Sequence, residues 1–96
     1  MTRYTVVWNA RLETDLTEIW VQADSSARAA LTHASDWIDL NLAVDPDTHG
    51  RPLQDTPYRL LVVPGTGNHR VEVVFEVNPG DRQVRVLNIR LGKPHA

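Results

Sequence analysis

The sequence predicts a single α+β domain in which a helical hairpin packs on one face of a mainly antiparallel, four-stranded sheet. Three observations lead to this fold class. Two consecutive segments before residue 45 carry apolar residues at helical spacing. Three later segments are short and rich in β-branched residues, and the segment His69–Val77, "HRVEVVFEV", alternates strictly. The linkers between these later segments are turn-like, so the predicted element order is β-α-α-β-β-β.

The first strand and the first helix are predicted from the segment that begins the chain. "RYTVVW", Arg3 to Trp8, alternates and is β-branched, which predicts a strand. Asn9 follows as a suitable N-cap. The helix after it carries one apolar stripe at positions i, i+4, i+7, i+8 and i+11. The stripe consists of Leu12, Leu16, Ile19, Trp20 and Ala23.

A second helix is predicted to start at Asp24 or Ser25, either of which can cap it. Its apolar positions repeat at helical spacing to about Val44, and they include Ala27, Ala30, Leu31, Ala34, Ile38 and Leu42. The small alanines allow a close approach to the sheet or to the first helix. Because only a few residues separate the two helices, they are expected to form an antiparallel hairpin.

The second half of the chain predicts a loop followed by a three-stranded meander. The loop runs from Asp45 to Pro57, and the first strand of the meander, "YRLLVV", runs from residue 58 to residue 63 before Pro64 ends it. "GTGN" leads into His69–Val77. "NPGD", residues 78–81, has proline and glycine at its central positions, as a type II turn requires. The last strand, Gln83–Leu91, completes a hairpin.

The alternation in His69–Val77 assigns its two faces. The core face is predicted to consist of Val71, Val73, Phe75 and Val77. The opposite face carries Arg70, Glu72, Val74 and Glu76. These charges either solvate an open sheet or form the floor of a site.

Length and composition set further bounds. The 96 residues support one domain spanning 1–96, and 42% hydrophobic with 23% charged residues is typical of a folded, soluble protein. The absence of cysteine excludes disulfides and thiolate chemistry and fits the cytoplasm. No apolar run approaches the roughly 20 residues of a membrane helix, and no signal peptide is expected. A net charge of −2 means that nucleic acid contact would need a local basic patch.

Common catalytic and metal-binding motifs do not match. The four histidines, His33, His49, His69 and His95, lie far apart and outside any metal-binding spacing. "DPDTHG" begins like a calcium loop, but Thr56 stands where the twelfth-position glutamate is needed. The serines belong to a helix cap and a helix rather than to a nucleophile elbow. "PGTGN" links two strands and precedes no helix, so it is interpreted as a hairpin connection. No metal and no cofactor are expected.

The arginines are the remaining chemical signal. They occur on each strand of the meander and in the adjoining loop and tail, where alternate residues of neighbouring strands share a face. Guanidinium groups gathered on a sheet bind phosphates bidentately. Cross-strand Arg–Glu pairs, such as Glu76 with Arg82, would instead only solvate that face, and residue chemistry alone favours this interpretation. The basic residues concerned are Arg51, Arg59, Arg70, Arg82, Arg85, Arg90 and Lys93.

The order of elements, together with several segments, resembles the RelE/ParE superfamily of bacterial type II toxin–antitoxin toxins. The resemblance covers nearly the whole chain. It rests on "YTVVWNARLETDLTEIW", "LNLAVDPDTHGRPL", "YRLLVV", "HRVEVVFEV" and "VRVLNIRLGK". It implies a small toxin with a concave sheet face, held inactive by an acidic antitoxin that wraps around it. RelE-like members cleave mRNA on the ribosome, whereas ParE-like members poison DNA gyrase.

The resemblance also implies site residues. Arg59 matches a basic position on the strand that begins at Tyr58, and counting back from Phe75 places Glu72 where RelE-like members have a catalytic arginine. Arg70 lies one strand step from Glu72. The RelE-like pattern continues with a basic residue and a tyrosine-bearing segment, whereas this sequence ends in "PHA". The candidate catalytic residues are Arg59, Arg70, Glu72 and Arg90, and the candidate binding residues are Tyr58, His69, Arg85, Lys93 and His95.

The sequence therefore predicts a toxin that binds a macromolecular target, gyrase or similar, and is neutralised by a cognate acidic antitoxin. One alternative is a ribosome-dependent mRNA endonuclease. The other is a toxin-fold binding module that has lost its toxicity. A carboxylate at the centre of a phosphate site repels the substrate, and this weighs against the endonuclease.

Overall fold

A computed structural model describes residues 3–92 of the chain. It contains five strands, two α-helices and one short 3₁₀ turn at Pro46–Thr48. In chain order the helices and strands are β1 Thr5–Trp8, α1 Ala10–Gln22, α2 Ser25–Asn41, β2 Arg51–Pro52, β3 Tyr58–Val62, β4 Val71–Asn78 and β5 Gln83–Leu91.

The strands form one sheet in the order β1-β5-β4-β3-β2, in which only the β1–β5 pair is parallel. The predicted fold class is confirmed, with one more strand than expected. The additional strand is β2, a two-residue segment within the predicted loop that pairs with Leu60 and Arg59. Its pairing depends on Gly50, which has φ 68° and whose position would bring any Cβ into the Leu60 carbonyl.

Both helices begin where the sequence predicts. The Asn9 side chain accepts from the Arg11 amide, and the Asp24 side chain accepts from the Ala27 amide. The predicted end of the second helix near Val44 is wrong, because α2 ends at Asn41 with Leu42 as its C-cap. Val44 instead forms an antiparallel bridge with Arg3, so the chain there is already extended.

The core lies between α2 and the sheet. Val71, Val73 and Phe75 of β4 are completely buried, as the alternation predicts, and Val77 packs at the edge of the core. The helix supplies small and branched residues opposite them, namely Ala30, Leu31, Ala34, Ile38 and Leu42. The β4–β5 pairing shifts register between Val74 and Phe75, which marks a bulge.

The β4–β5 connection differs from the predicted type II turn. That turn needs a positive φ at Gly80, but the residue with positive φ is Arg82, at 51°. The Asn78 side-chain oxygen accepts from the Asp81 amide at 3.2 Å and stabilises a different turn. The type II prediction is therefore wrong.

Helix α1 is less buried than its apolar stripe predicts. Leu12 is buried, Leu16 and Ile19 are partly buried, and Trp20 is 40% exposed. Neither helix within residues 3–92 is long and apolar enough to cross a membrane.

Candidate functional site

The face of the sheet away from the helices brings together most of the predicted site residues. We call it the outer face. Strand pairing places Glu72 opposite Val62 on one side and opposite Arg90 on the other. The charged residues of this face are Arg51, Arg70, Arg85, Arg90, Glu72 and Glu76. Four guanidinium groups thus stand against two carboxylates, a local excess of positive charge on a chain whose formal net charge is −2.

On the outer face, at the start of β4, Arg70 and Glu72 form an ion pair. The Arg70 Nε donates to Glu72 Oε1 at 2.9 Å, and the two side chains are 49% and 24% exposed. Because both partners reach solvent, the pair adds little to stability. It does occupy the Arg70 Nε, so that only the terminal nitrogens of this guanidinium remain to bind a ligand.

A second, looser pair joins β4 to β5. The Arg85 Nη1 lies 3.9 Å from Glu76 Oε1, and the two residues are opposite each other in the sheet. The sequence suggested Arg82 as the partner of Glu76. Arg82 instead lies in the turn, and the residue paired with Glu76 is Arg85. Tyr58 lies on the other side of Glu76 and is 37% exposed.

Arg59 does not lie on the outer face. It shares the helix-facing side of β3 with Leu61, because it is paired with Phe75. Its Nε donates to the His49 carbonyl at 3.0 Å and its Nη2 donates to the Gly50 carbonyl at 3.3 Å. Arg59 therefore holds the loop before β2 in place, and the sheet separates it from Arg70, Glu72 and Arg90. Lys93 and His95 lie outside the described residues.

His69 belongs to a separate cluster at the start of α2. Its Nε2 lies 2.9 Å from Ser26 Oγ, and Ser26 Oγ lies 3.0 Å from Asp24 Oδ1. A carboxylate can only accept, so the single Ser26 proton goes to Asp24 and His69 Nε2 donates to the hydroxyl. The amide of Ala27, and after it the Ser26 hydroxyl, lower the pKa of Asp24 below its usual 3.8.

This cluster contains a carboxylate, a serine and a histidine, the residue types of a serine hydrolase triad, but their hydrogen bonds connect them in a different order. In a triad the imidazole accepts from serine and donates to the carboxylate. Here the carboxylate accepts from serine, and His69 Nδ1 is buried without a hydrogen-bond partner. The arrangement therefore caps α2 and anchors the chain before β4, in agreement with the sequence interpretation of Ser26 as part of a cap.

His33 and His69 also border a cavity of about 330 Å³ between α2 and the β3–β4 connection. His33 Nε2 donates to the Pro64 carbonyl at 3.0 Å and packs directly against Gly65. No group of three or more potential metal ligands occurs within residues 3–92. Sequence reasoning missed the Ser26–His69 contact, since the two residues are separated by 43 positions and no local pattern links them.

Sequence reasoning also missed Arg51 as a site residue, because its segment was interpreted as loop. The β2–β3 pairing places it opposite Leu60, on the outer face. It lines a shallow cavity of about 200 Å³ together with Gly50, Leu60, Val62 and Arg70. This cavity combines two guanidinium groups with two aliphatic side chains at the β2 edge of the sheet, a composition that suits an anionic group attached to an apolar one.

The fold of the chain is similar to that of the toxin RelE. The chain superimposes on an arginine-to-alanine double mutant of the Escherichia coli toxin RelE in the free state with a TM-score of 0.52, at 11% identity, over 93% of this chain and 82% of the other. It matches the intact E. coli RelBE toxin–antitoxin complex with a TM-score of 0.53, at 15% identity, over 97% of this chain and 99% of the matched chain.

A third match is the same RelE mutant in complex with a peptide of its antitoxin, with a TM-score of 0.51, 15% identity, and coverage of 99% of this chain and 87% of the other. No protein-family model matches the sequence, and no curated protein matches it significantly. At these identities the matches establish the fold, which confirms the resemblance at the level of architecture.

Proposed function

We propose that this protein is the toxin of a type II toxin–antitoxin system, and that it inhibits growth by binding a macromolecular target such as DNA gyrase in the cytoplasm. The fold is shared with RelE, which has been determined with its antitoxin. The observation that carries the choice of a binding mechanism is the Arg70–Glu72 ion pair on the outer face.

The outer face is better suited to binding than to cutting RNA. Cleavage would need several free cationic groups around one phosphate, with a group able to move a proton nearby. Here Arg59 is on the other side of the sheet, and the Arg70 Nε is engaged by a carboxylate. A carboxylate beside the scissile phosphate would repel it. A protein surface, by contrast, can pair with both signs of charge on this face.

A cognate acidic antitoxin fits the same face. The outer face has two more positive than negative charges, and it also carries the exposed apolar groups of Tyr58 and Val62. An acidic segment with interspersed apolar residues would pair with the former and cover the latter. The antitoxin is thus expected to bind Arg51, Arg85 and Arg90 and to block the target surface.

Ribosome-dependent mRNA cleavage is kept as the second candidate, because four guanidinium groups on one face can contact phosphates even when two of them also pair with carboxylates. Induced expression in a test host separates the candidates. A gyrase-directed toxin should arrest growth, break DNA and induce an SOS response while mRNA remains intact. The endonuclease should give codon-phased mRNA cuts and no DNA breaks.

Substitutions then test the site. The double variant Arg70→Ala/Arg90→Ala should lose growth arrest, whereas Arg11→Ala, an exposed arginine on α1, should retain it. Both proteins are expected to fold, because their substituted side chains are at the surface. Retained arrest in the double variant would remove the outer face as the target surface. Absence of arrest from the unmodified protein would instead support a non-toxic binding module.

A further inference from the structure

A groove between the two helices leaves apolar residues open to solvent on the opposite side of the molecule from the outer face. Its cavity measures about 210 Å³ and is bounded by Leu16 and Trp20 of α1 and by Leu31 of α2. The polar side of the groove is formed by Thr32, Ser35 and Asp36. We call this surface the helix groove.

Trp20 is the most unusual residue of the helix groove. It belongs to the apolar stripe of α1, yet 40% of its surface is exposed, whereas Leu12 in the same stripe is 3% exposed. A large aromatic side chain next to a concave apolar surface is the usual anchor of a protein–protein contact. The packing within the chain thus leaves the C-terminal half of the stripe only partly covered.

The charge around the helix groove specifies what can cover it. Residues 10–41 carry six carboxylates and two guanidinium groups. Asp36 lines the groove itself, and Glu13 lies seven residues before Trp20 and so on the same side of α1. Within residues 3–92 neither carboxylate belongs to an ion pair.

A nearby cation, Arg28, is bound to backbone carbonyls at the end of α1, and within residues 3–92 it forms no ion pair with Asp36 or Glu13. The Arg28 Nε donates to the Trp20 carbonyl at 2.9 Å, and its Nη2 donates to the Val21 carbonyl at 3.4 Å. Its guanidinium also lies 5.5 Å from the centre of the Trp20 ring. Arg28 therefore caps the carbonyl end of α1 and packs beside the Trp20 ring.

From the exposed Trp20 and the uncompensated carboxylates, we infer that the helix groove docks a basic, apolar segment of a partner protein. An aliphatic side chain of that segment occupies the space between Leu16, Trp20 and Leu31, and lysine or arginine side chains flanking it pair with Asp36 and Glu13. Nucleic acid and acidic proteins are repelled by the same carboxylates. This partner differs in charge from the acidic antitoxin proposed for the outer face, so the inference goes beyond the proposed function.

The probe is a synthetic helical peptide with leucine at positions i, i+4 and i+7 and lysine elsewhere, titrated into the ¹⁵N-labelled protein. The lysine peptide should shift the Trp20 indole resonance and the amides of residues 31–36, and leave those of β3 and β4 unchanged. A peptide with glutamate in place of each lysine should produce no shifts there. Equal shifts with both peptides, or shifts only on the outer face, would overturn the inference.

Two variants and one control variant make the test specific. Trp20→Ala should weaken binding of the lysine peptide by about tenfold, as for an anchor residue. Val21→Ala is the matched control, since Val21 is 68% exposed but does not line the groove. Asp36→Lys, a surface change that should not affect folding, should also weaken binding. If Trp20→Ala and Asp36→Lys both bind as the unmodified protein does, or if the groove is covered by concentration-dependent self-association, the inference is wrong.

Discussion

The outer face and the helical layer differ in charge although they belong to one small domain. The outer face carries four guanidinium groups and two carboxylates, whereas residues 10–41 carry two guanidinium groups and six carboxylates. The net charge of −2 conceals this separation. A near-neutral total can thus be compatible with two surfaces that attract opposite partners.

The two sides of the sheet differ in what they contribute to stability, and this gives the largest expected effect. Phe75 is completely buried, so Phe75→Ala should lower the free energy of unfolding by about 3–5 kcal/mol. Tyr58→Ala removes an aromatic ring from the outer face and should cost far less, because that ring is 37% exposed. Urea unfolding measures both. Similar losses would mean that the outer face is packed in solution.

The arginines on opposite sides of the sheet should also behave differently. Arg59→Ala leaves the carbonyls of His49 and Gly50 without their donor and should cost about 1–3 kcal/mol in urea unfolding. Arg90→Ala changes an exposed residue and should change stability by less than about 0.5 kcal/mol.

The same two variants should affect growth arrest in the opposite order, with the larger direct effect from Arg90→Ala. Arg90→Ala should weaken growth arrest, whereas Arg59→Ala should reduce it only as far as it reduces the amount of folded protein. An Arg59→Ala protein of unchanged stability that no longer arrests growth would show that Arg59 contacts the target directly.

Removal of one negative charge should increase heparin binding more on the outer face than on the helices. Glu72→Gln releases the Arg70 Nε and should increase retention on a heparin column, with elution at higher salt. Glu18→Gln makes the same charge change on α1, where acidic neighbours remain, and should shift elution less. Equal shifts would indicate that heparin responds to total charge and not to the outer face.

The smallest expected effect concerns Asp24, the N-cap residue of α2. The hydrogen bond from the Ala27 amide lowers the pKa of Asp24, so its carboxylate stabilises the fold above the unfolded value of 3.8. This contribution is lost as the pH falls through the lower, folded pKa. A carbon-detected NMR titration should therefore give a pKa below 3.8 for Asp24. A value at or above 3.8 would show that the cap is not formed in solution.

The fold was predictable because its determinants are local. The alternation in β4 places Val71, Val73 and Phe75 on the core side, and Asn9 and Asp24 mark both helix starts. The wrong predictions concern segments whose conformation depends on contacts outside the segment's own hydrophobic pattern. A two-residue strand such as Arg51–Pro52 has no period to detect, and the turn before β5 follows a side-chain hydrogen bond of Asn78.

The candidate site was predictable only in part. That Arg70 and Glu72 share a face follows from period-2 geometry, and so does the opposite orientation of Arg59 relative to Tyr58. Strand register determines which residues face one another across the sheet, and it placed Arg85, not Arg82, opposite Glu76. The Ser26–His69 contact depends on how the β3–β4 connection meets α2, which no local pattern encodes.

The sequence by itself determined the order of the helices and the longer strands, the helix caps and the two sides of β4, because hydrophobic period and capping chemistry act within a few residues of the chain. Only the tertiary structure decided that Arg59 anchors a loop, that Trp20 remains exposed and that Arg51 joins the outer face. The physical reason is that strand order and helix placement bring distant residues together, and the burial and charge of each surface arise from those contacts.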